Sequence, residues 1–142
     1  MDIVIIGDGK VGHKLAMQLS GEKYNVTLID KSERKLRNAV NEMDVSCVVG
    51  DGASADIQRQ ADVPGADLVI ACTSTDECNM LSCLFQIADA GSSFKNIHDC
   101  IQCFICDHTL FFPQCHSLQH FFQRKSGEDH FLLFFGIIRN LD

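Results

Sequence analysis

The apolar run Ile3-Val4-Ile5-Ile6 passes without a break into Gly7-Asp8-Gly9-Lys10-Val11-Gly12, and this junction constrains the fold more than any other segment of the chain. A short, nearly all-apolar strand is the pattern of a central parallel strand buried on both faces. The three glycines keep the G-x-G-x-x-G spacing. The first permits a tight turn, the second lets backbone approach a pyrophosphate, and the third lets the following helix pack against the strand. Beyond the turn, Val11, Leu15, Ala16 and Leu19 recur at helical spacing. The free N–H groups and dipole at the start of such a helix favour phosphate.

The same alternation continues. Strands are expected at 2–6, 25–29, 46–49 and 67–72, and helices at 10–19, 32–43, 54–61 and 75–90. Gly21 stops the first helix. Leu36, Ala39, Val40 and Met43 mark the inner face of the second. Ser54 and Thr75 stand at helix starts as N-caps, and Val63-Pro64-Gly65 reads as a turn. The order predicts an α/β fold, a Rossmann-like parallel sheet with helices on both faces.

In open α/β sheets, ligands bind beyond the carboxyl ends of the strands. Asp30 ends the second strand, where a carboxylate accepts hydrogen bonds from a ribose diol and repels a 2′-phosphate. NAD(H) is therefore expected over NADP(H). Lys31 lies next to it, at the adenine edge or in solvent. Two more loops end strands on the same side: Gly50-Asp51-Gly52-Ala53-Ser54, and Thr73-Ser74-Thr75-Asp76-Glu77 leading to Asn79. Their small and hydroxyl residues suit contact with an adenosine. Capping is the first reading for Ser54 and Thr75, and ligand proximity for Asp51 and Thr73. Catalytic groups are not evident in this part. His13 reads as a surface or supporting residue beside the turn, and Tyr24 is the only tyrosine, so no tyrosine–lysine pair exists. Binding without chemistry is the expectation.

The motifs together resemble one family. Ile3-Val4-Ile5-Ile6-Gly7-Asp8-Gly9-Lys10-Val11-Gly12, Val26-Thr27-Leu28-Ile29-Asp30-Lys31, Val48-Val49-Gly50-Asp51-Gly52-Ala53-Ser54 and Ala66-Asp67-Leu68-Val69-Ile70-Ala71 are similar to the N-terminal RCK or KTN domain of TrkA-type potassium-uptake regulators. Thr73-Ser74-Thr75-Asp76-Glu77-Cys78-Asn79-Met80-Leu81 is the most specific match. The resemblance covers residues 1 to about 90. It implies a cytoplasmic, non-enzymatic regulatory subunit at the inner face of the membrane. Such a subunit binds NAD(H) or ATP/ADP, assembles as dimers into rings and biases the gating of a membrane potassium transporter. Carried over by position, the ligand contacts are Gly7, Asp8, Gly9, Lys10, Val11, Asp30, Asp51, Thr73 and Ser74. Gly12, Lys31, Gly52, Ala53 and Asn79 join them from the reading of the turn and loops. An NAD-dependent oxidoreductase fragment and a truncated, non-functional regulator are the alternatives.

The chain changes character near residue 91. All nine alanines and all nine valines precede it, whereas nine of the ten phenylalanines and five of the six histidines follow. This predicts a nucleotide-binding core at 1–90 and a divergent Cys/His/Phe-rich tail at 91–142, with a break of coding frame or ancestry between them. Asn96-Ile97-His98-Asp99-Cys100-Ile101-Gln102 stands where the resembled family has its fifth strand, but lacks that strand's arginines. The apolar segment 131–138 is expected to help complete the sheet. Cys100, Cys103 and Cys106, with Cys115, His108, His116 and His120, have spacing that can hold a metal. A chance Cys/His-rich sequence is favoured, and no metal is expected. The earlier cysteines, Cys47, Cys72, Cys78 and Cys83, read as reduced and structural. The net charge of −7 argues against a nucleic-acid surface. No run reaches the roughly 18 apolar residues of a membrane span.

Overall fold

The computed structural model describes residues 1–75, 78, 79, 81 and 82, and the strand residues 100–102, 104–106 and 109–111. Its order is β1 (Asp2–Ile6), α1 (Lys10–Gly21), β2 (Asn25–Asp30), α2 (Glu33–Glu42), β3 (Ser46–Val49), α3 (Ala55–Gln60), a single 3₁₀ turn (Val63–Gly65), β4 (Leu68–Ala71) and β5 (Cys100–Gln102). Cys78, Asn79, Leu81 and Ser82 are helical. A separate antiparallel pair joins β6 (Phe104–Cys106) to β7 (Thr109–Phe111).

The main sheet runs β3-β2-β1-β4-β5, and all its pairings are parallel. In register, Ile5 faces Leu28 on one side and Ile70 on the other. Side chains alternate across a strand, so each strand feeds two cores. Ile3, Ile5, Val26, Leu28, Leu68 and Ile70 pack with Leu15, Ala16 and Leu19 of α1 and Leu36 and Ala39 of α2. Val4, Ile6, Ile29, Val48 and Val69 pack on the opposite face with Ala61, Val63 and Ile57. Each fully buried Ile or Leu contributes about 1.5–3 kcal/mol. The apolar strands of the sequence are therefore buried because helices cover both faces.

Two local expectations need correction. Val40 was expected on the inner face of α2 but is 52% exposed, while Leu36 and Ala39 are buried. One face of a ten-residue helix is filled by those two, and Val40 lies beyond the edge of their contact stripe. Ser54 occupies the N-cap position of α3 but makes no side-chain capping bond. The Asp51 carboxylate instead accepts from the Ala53 N–H at 3.0 Å, and the Asp51 carbonyl accepts from the Ser54 N–H at 2.9 Å. Thr75 does cap, its hydroxyl accepting from the Cys78 N–H at 3.4 Å.

β5 lies in the tail, beside β4, with Ile101 opposite Ile70. Segment 131–138 and most of the tail's metal-ligand candidates lie outside the described residues. Of these candidates, Cys100 and Cys106 are placed on β5 and β6.

Candidate functional site

The sheet order reverses at β1, whose chain successor β2 lies on one side and β4 on the other. Beyond the carboxyl ends of β1 and β4 is the switch point where open α/β sheets hold ligands. The glycine turn, Asp30, the Asp51 loop and the Thr73 loop all follow strands at that edge. Backbone bonds draw their starts together: Gly7 N–H to the Ile29 carbonyl at 2.7 Å, Gly50 N–H to the Asp30 carbonyl at 3.0 Å, and Cys72 N–H to the Ile6 carbonyl at 2.9 Å.

Two glycines of the turn are required by geometry. Gly7 has φ +108°, which side-chain-bearing residues rarely adopt, and a Cβ there would press on the Cys72 carbonyl. A Cβ on Gly12 would overlap the Gly7 carbonyl oxygen. Gly9, the N-cap of α1, has open space where a Cβ would stand. The first intrahelical bond runs from the His13 N–H to the Gly9 carbonyl. The N–H groups of Lys10, Val11 and Gly12 therefore have no acceptor within the helix, and α1 has no acid in its first turn. Lys10 is exposed and Val11 half-buried.

Asp30 does more than end a strand. Its Oδ2 accepts from the Asp8 N–H at 2.8 Å and its Oδ1 from the Ser32 N–H at 2.8 Å. Lys35 Nζ lies 3.6 Å from Oδ2. The carboxylate thus braces the glycine turn from the neighbouring strand. Each oxygen keeps a second lone pair for a hydroxyl. Lys31 is in solvent yet paired, with Nζ 2.9 Å from Asp51 Oδ2. That hydrogen bond, together with the Ala53 N–H, lowers the Asp51 pKa, and the same contact raises that of Lys31. The pair links the loops after β2 and β3. Gly52 is buried and Ala53 half-buried.

Asn79 is wholly buried. Its Oδ1 accepts from the Thr73 N–H and the Thr73 hydroxyl, both at 2.8 Å, and its Nδ2 lies 3.4 Å from the Thr73 carbonyl. Asn79 thus shapes the Thr73 loop from beneath, and Ser74 is exposed at its tip.

Gln58 was not singled out in the sequence, and the contacts that Asp8, His13 and Cys72 make around this edge were not legible there. Gln58 is buried and donates to the Gly52 carbonyl at 2.7 Å and the Ser82 carbonyl at 3.1 Å, tying two loops together. Asp8 is turned onto His13, whose Nδ1 lies 2.9 Å from its Oδ1, and His13 Nε2 lies 3.0 Å from Glu42 Oε2. Burial lowers the His13 pKa, but the Asp8 and Glu42 carboxylates outweigh it and the net direction is upward. No spacing rule joins residues 13 and 42, so only the packing of α2 beside α1 reveals their contact. Cys72 is a buried, reduced thiol, with Sγ 3.4 Å from the Gly7 carbonyl.

A central glycine turn, an acid at the end of the adjacent strand and a switch point between β1 and β4 define a Rossmann-type α/β domain. Residues 3–91 match the model of the TrkA-N domain. The chain belongs to the TrkA-N family. It is 40% identical over 97 residues to the Trk system potassium uptake protein TrkA of Azorhizobium caulinodans, a match covering 68% of this chain and 20% of that protein. It is 38% identical over 84 residues to a TrkA homolog of Methanothermobacter thermautotrophicus, covering 59% of this chain and 39% of the homolog. The chain therefore matches only a fifth to two fifths of these relatives' lengths. Among solved structures, the Kef CTD of Shewanella denitrificans in AMP bound form aligns with TM-score 0.53 at 20% identity, over 64% of this chain and 53% of that one. A protein described as a short chain dehydrogenase/reductase family oxidoreductase from Aeromonas hydrophila aligns with TM-score 0.51 at 18% identity, over 63% and 51%. Both likenesses concern the fold. Among the described residues, no helix is long and apolar enough to cross a membrane.

Proposed function

We propose that this chain is the nucleotide-sensing part of a regulatory, non-enzymatic subunit of a potassium uptake system, with NAD(H) as its first ligand and ATP or ADP as the alternative. The observation that carries the reading is the braced glycine turn: Gly7, Gly9 and Gly12 at the switch point, with Asp30 holding the Asp8 N–H. Gly9, Lys10, Val11 and Gly12 would receive the phosphates, and Asp30 the ribose. Asp51, Gly52, Ala53, Lys31, Thr73 and Ser74 border the adenosine, and Gly7, Asp8 and Asn79 shape the site. Membership of the TrkA-N family and the names of the relatives support the potassium-uptake assignment. The AMP bound form of a protein with this fold supports an adenine nucleotide.

In this reading the subunit forms a homo-oligomer, a dimer or ring, at the cytoplasmic face of its transporter. Nucleotide stabilises one arrangement of the assembly, and that arrangement biases the transporter. Residues 1–90 form the binding core and residues 91–142 a divergent tail that supplies β5. An oxidoreductase is less well supported, because the relatives that match this chain are named as potassium uptake proteins. Calorimetric titration with NADH, NAD, ATP, ADP and NADPH tests the proposal. NADH is expected to bind more tightly than NADPH, since Asp30 repels a 2′-phosphate. Binding of none of the five would overturn it.

A further inference from the structure

We propose that His13 is a positioning residue whose imidazolium form the glycine turn needs in order to hold phosphate, making nucleotide affinity pH-dependent; this rests on the nucleotide-binding reading above. Asp8 is the second residue of the turn, and its side chain is 1% exposed. A buried carboxylate beside a phosphate site adds negative charge where a second negative charge must arrive. Its partner is His13, in the first turn of α1. The far side of the ring meets Glu42 at the end of α2.

Both ring nitrogens therefore face carboxylate oxygens, at 2.9 and 3.0 Å. A neutral imidazole offers one donor and one acceptor; only the imidazolium offers two donors. The geometry thus selects the charged ring. The carboxylates facing it are Asp8 from the turn and Glu42 from α2. The titratable group of β3 in the field of Asp8 is the Cys47 thiol, raised by burial and by that carboxylate. Glu42 is exposed and exchanges its charge interactions with solvent, so Asp8 depends on His13 for compensation.

Loss of the His13 proton leaves Asp8 uncompensated within the turn. At the separations of such a turn, with partial screening, this should weaken phosphate binding about tenfold. Linkage makes the effect reciprocal: a nucleotide that prefers the protonated ring raises the ring's proton affinity by the same factor, so binding takes up protons near the His13 midpoint.

Titration calorimetry of the full chain with NADH, from about pH 6 to about pH 9 and in two buffers of different ionisation enthalpy, tests this. Wild type should lose about tenfold in affinity toward high pH and take up protons at the midpoint. Asp8→Asn removes the buried carboxylate that holds the ring's proton and should move the midpoint to lower pH by more than Glu42→Gln does. His13→Gln should bind weakly and evenly, with no linked proton. Glu42→Gln, on an exposed side chain, should move the midpoint to lower pH, and carries the test if His13→Gln does not fold. NADH binding of constant affinity in wild type, or a pH dependence that persists in His13→Gln, overturns the role of His13 and leaves the nucleotide reading standing. If NADH does not bind, the same titrations are run with ATP and ADP, and no binding of any of the three at any pH overturns both.

Discussion

At the scale of single residues, the candidate binding edge is held by side chains that serve the backbone. Asn79 accepts both the N–H and the hydroxyl of Thr73 in a fully buried position. Asn79→Ala should cost about 1–3 kcal/mol, because the Thr73 N–H loses its acceptor and the Thr73 hydroxyl keeps only the Thr75 carbonyl; urea denaturation checks this. His13 gives stability a pH signature even without ligand. Its folded pKa is raised, so the stabilisation from Asp8 and Glu42 is complete below its ordinary value of 6.5 and fades as pH rises through the folded value. The urea midpoint of wild type should fall across that window, and that of His13→Gln should not follow it. Asp51 has the opposite sign. Its lowered pKa adds stability above 3.8 that is lost as pH falls through the folded value, and its exposed pairing with Lys31 keeps that contribution small.

Elements were legible where the pattern is local. The bounds of β1 and β3 follow from apolar runs between turn residues, and α1 from Leu15, Ala16 and Leu19 at helical spacing. Faces and caps were less legible. The pattern assigned Val40 to the core together with Leu36, but how wide a stripe of α2 is covered depends on what lies opposite it. Leu36→Ala should therefore cost about 2–5 kcal/mol, whereas Val40→Ala should stay within about 0.5 kcal/mol. Thermal unfolding of the two variants would separate these outcomes, and equal losses would contradict the placement of α2. Ser54 occupies a cap position without capping, because Asp51 three residues earlier already organises that turn.

At the scale of the whole molecule, one strand organises the rest. β1 lies between β2 and β4 and is covered on both faces. Its amides and those of β2 and β4 should exchange slowest with solvent, ahead of β3 and β5 at the ends of the sheet order; hydrogen-exchange mass spectrometry reads this directly. Fast exchange in β1 would contradict the central position. The sequence by itself determined the strand–turn–helix alternation, the parallel class of sheet and the residues at the strand ends. Those properties are written in short-range periodicity and in glycines whose backbone demands are local. Only the tertiary structure decided that Asp30 braces the turn through the Asp8 N–H, that Glu42 reaches His13, and that the three residues of β5 lie beside β4. Each depends on contacts between segments from 22 to 29 or more residues apart. Such contacts are set by how helices and strands stack, and no spacing along the chain records them.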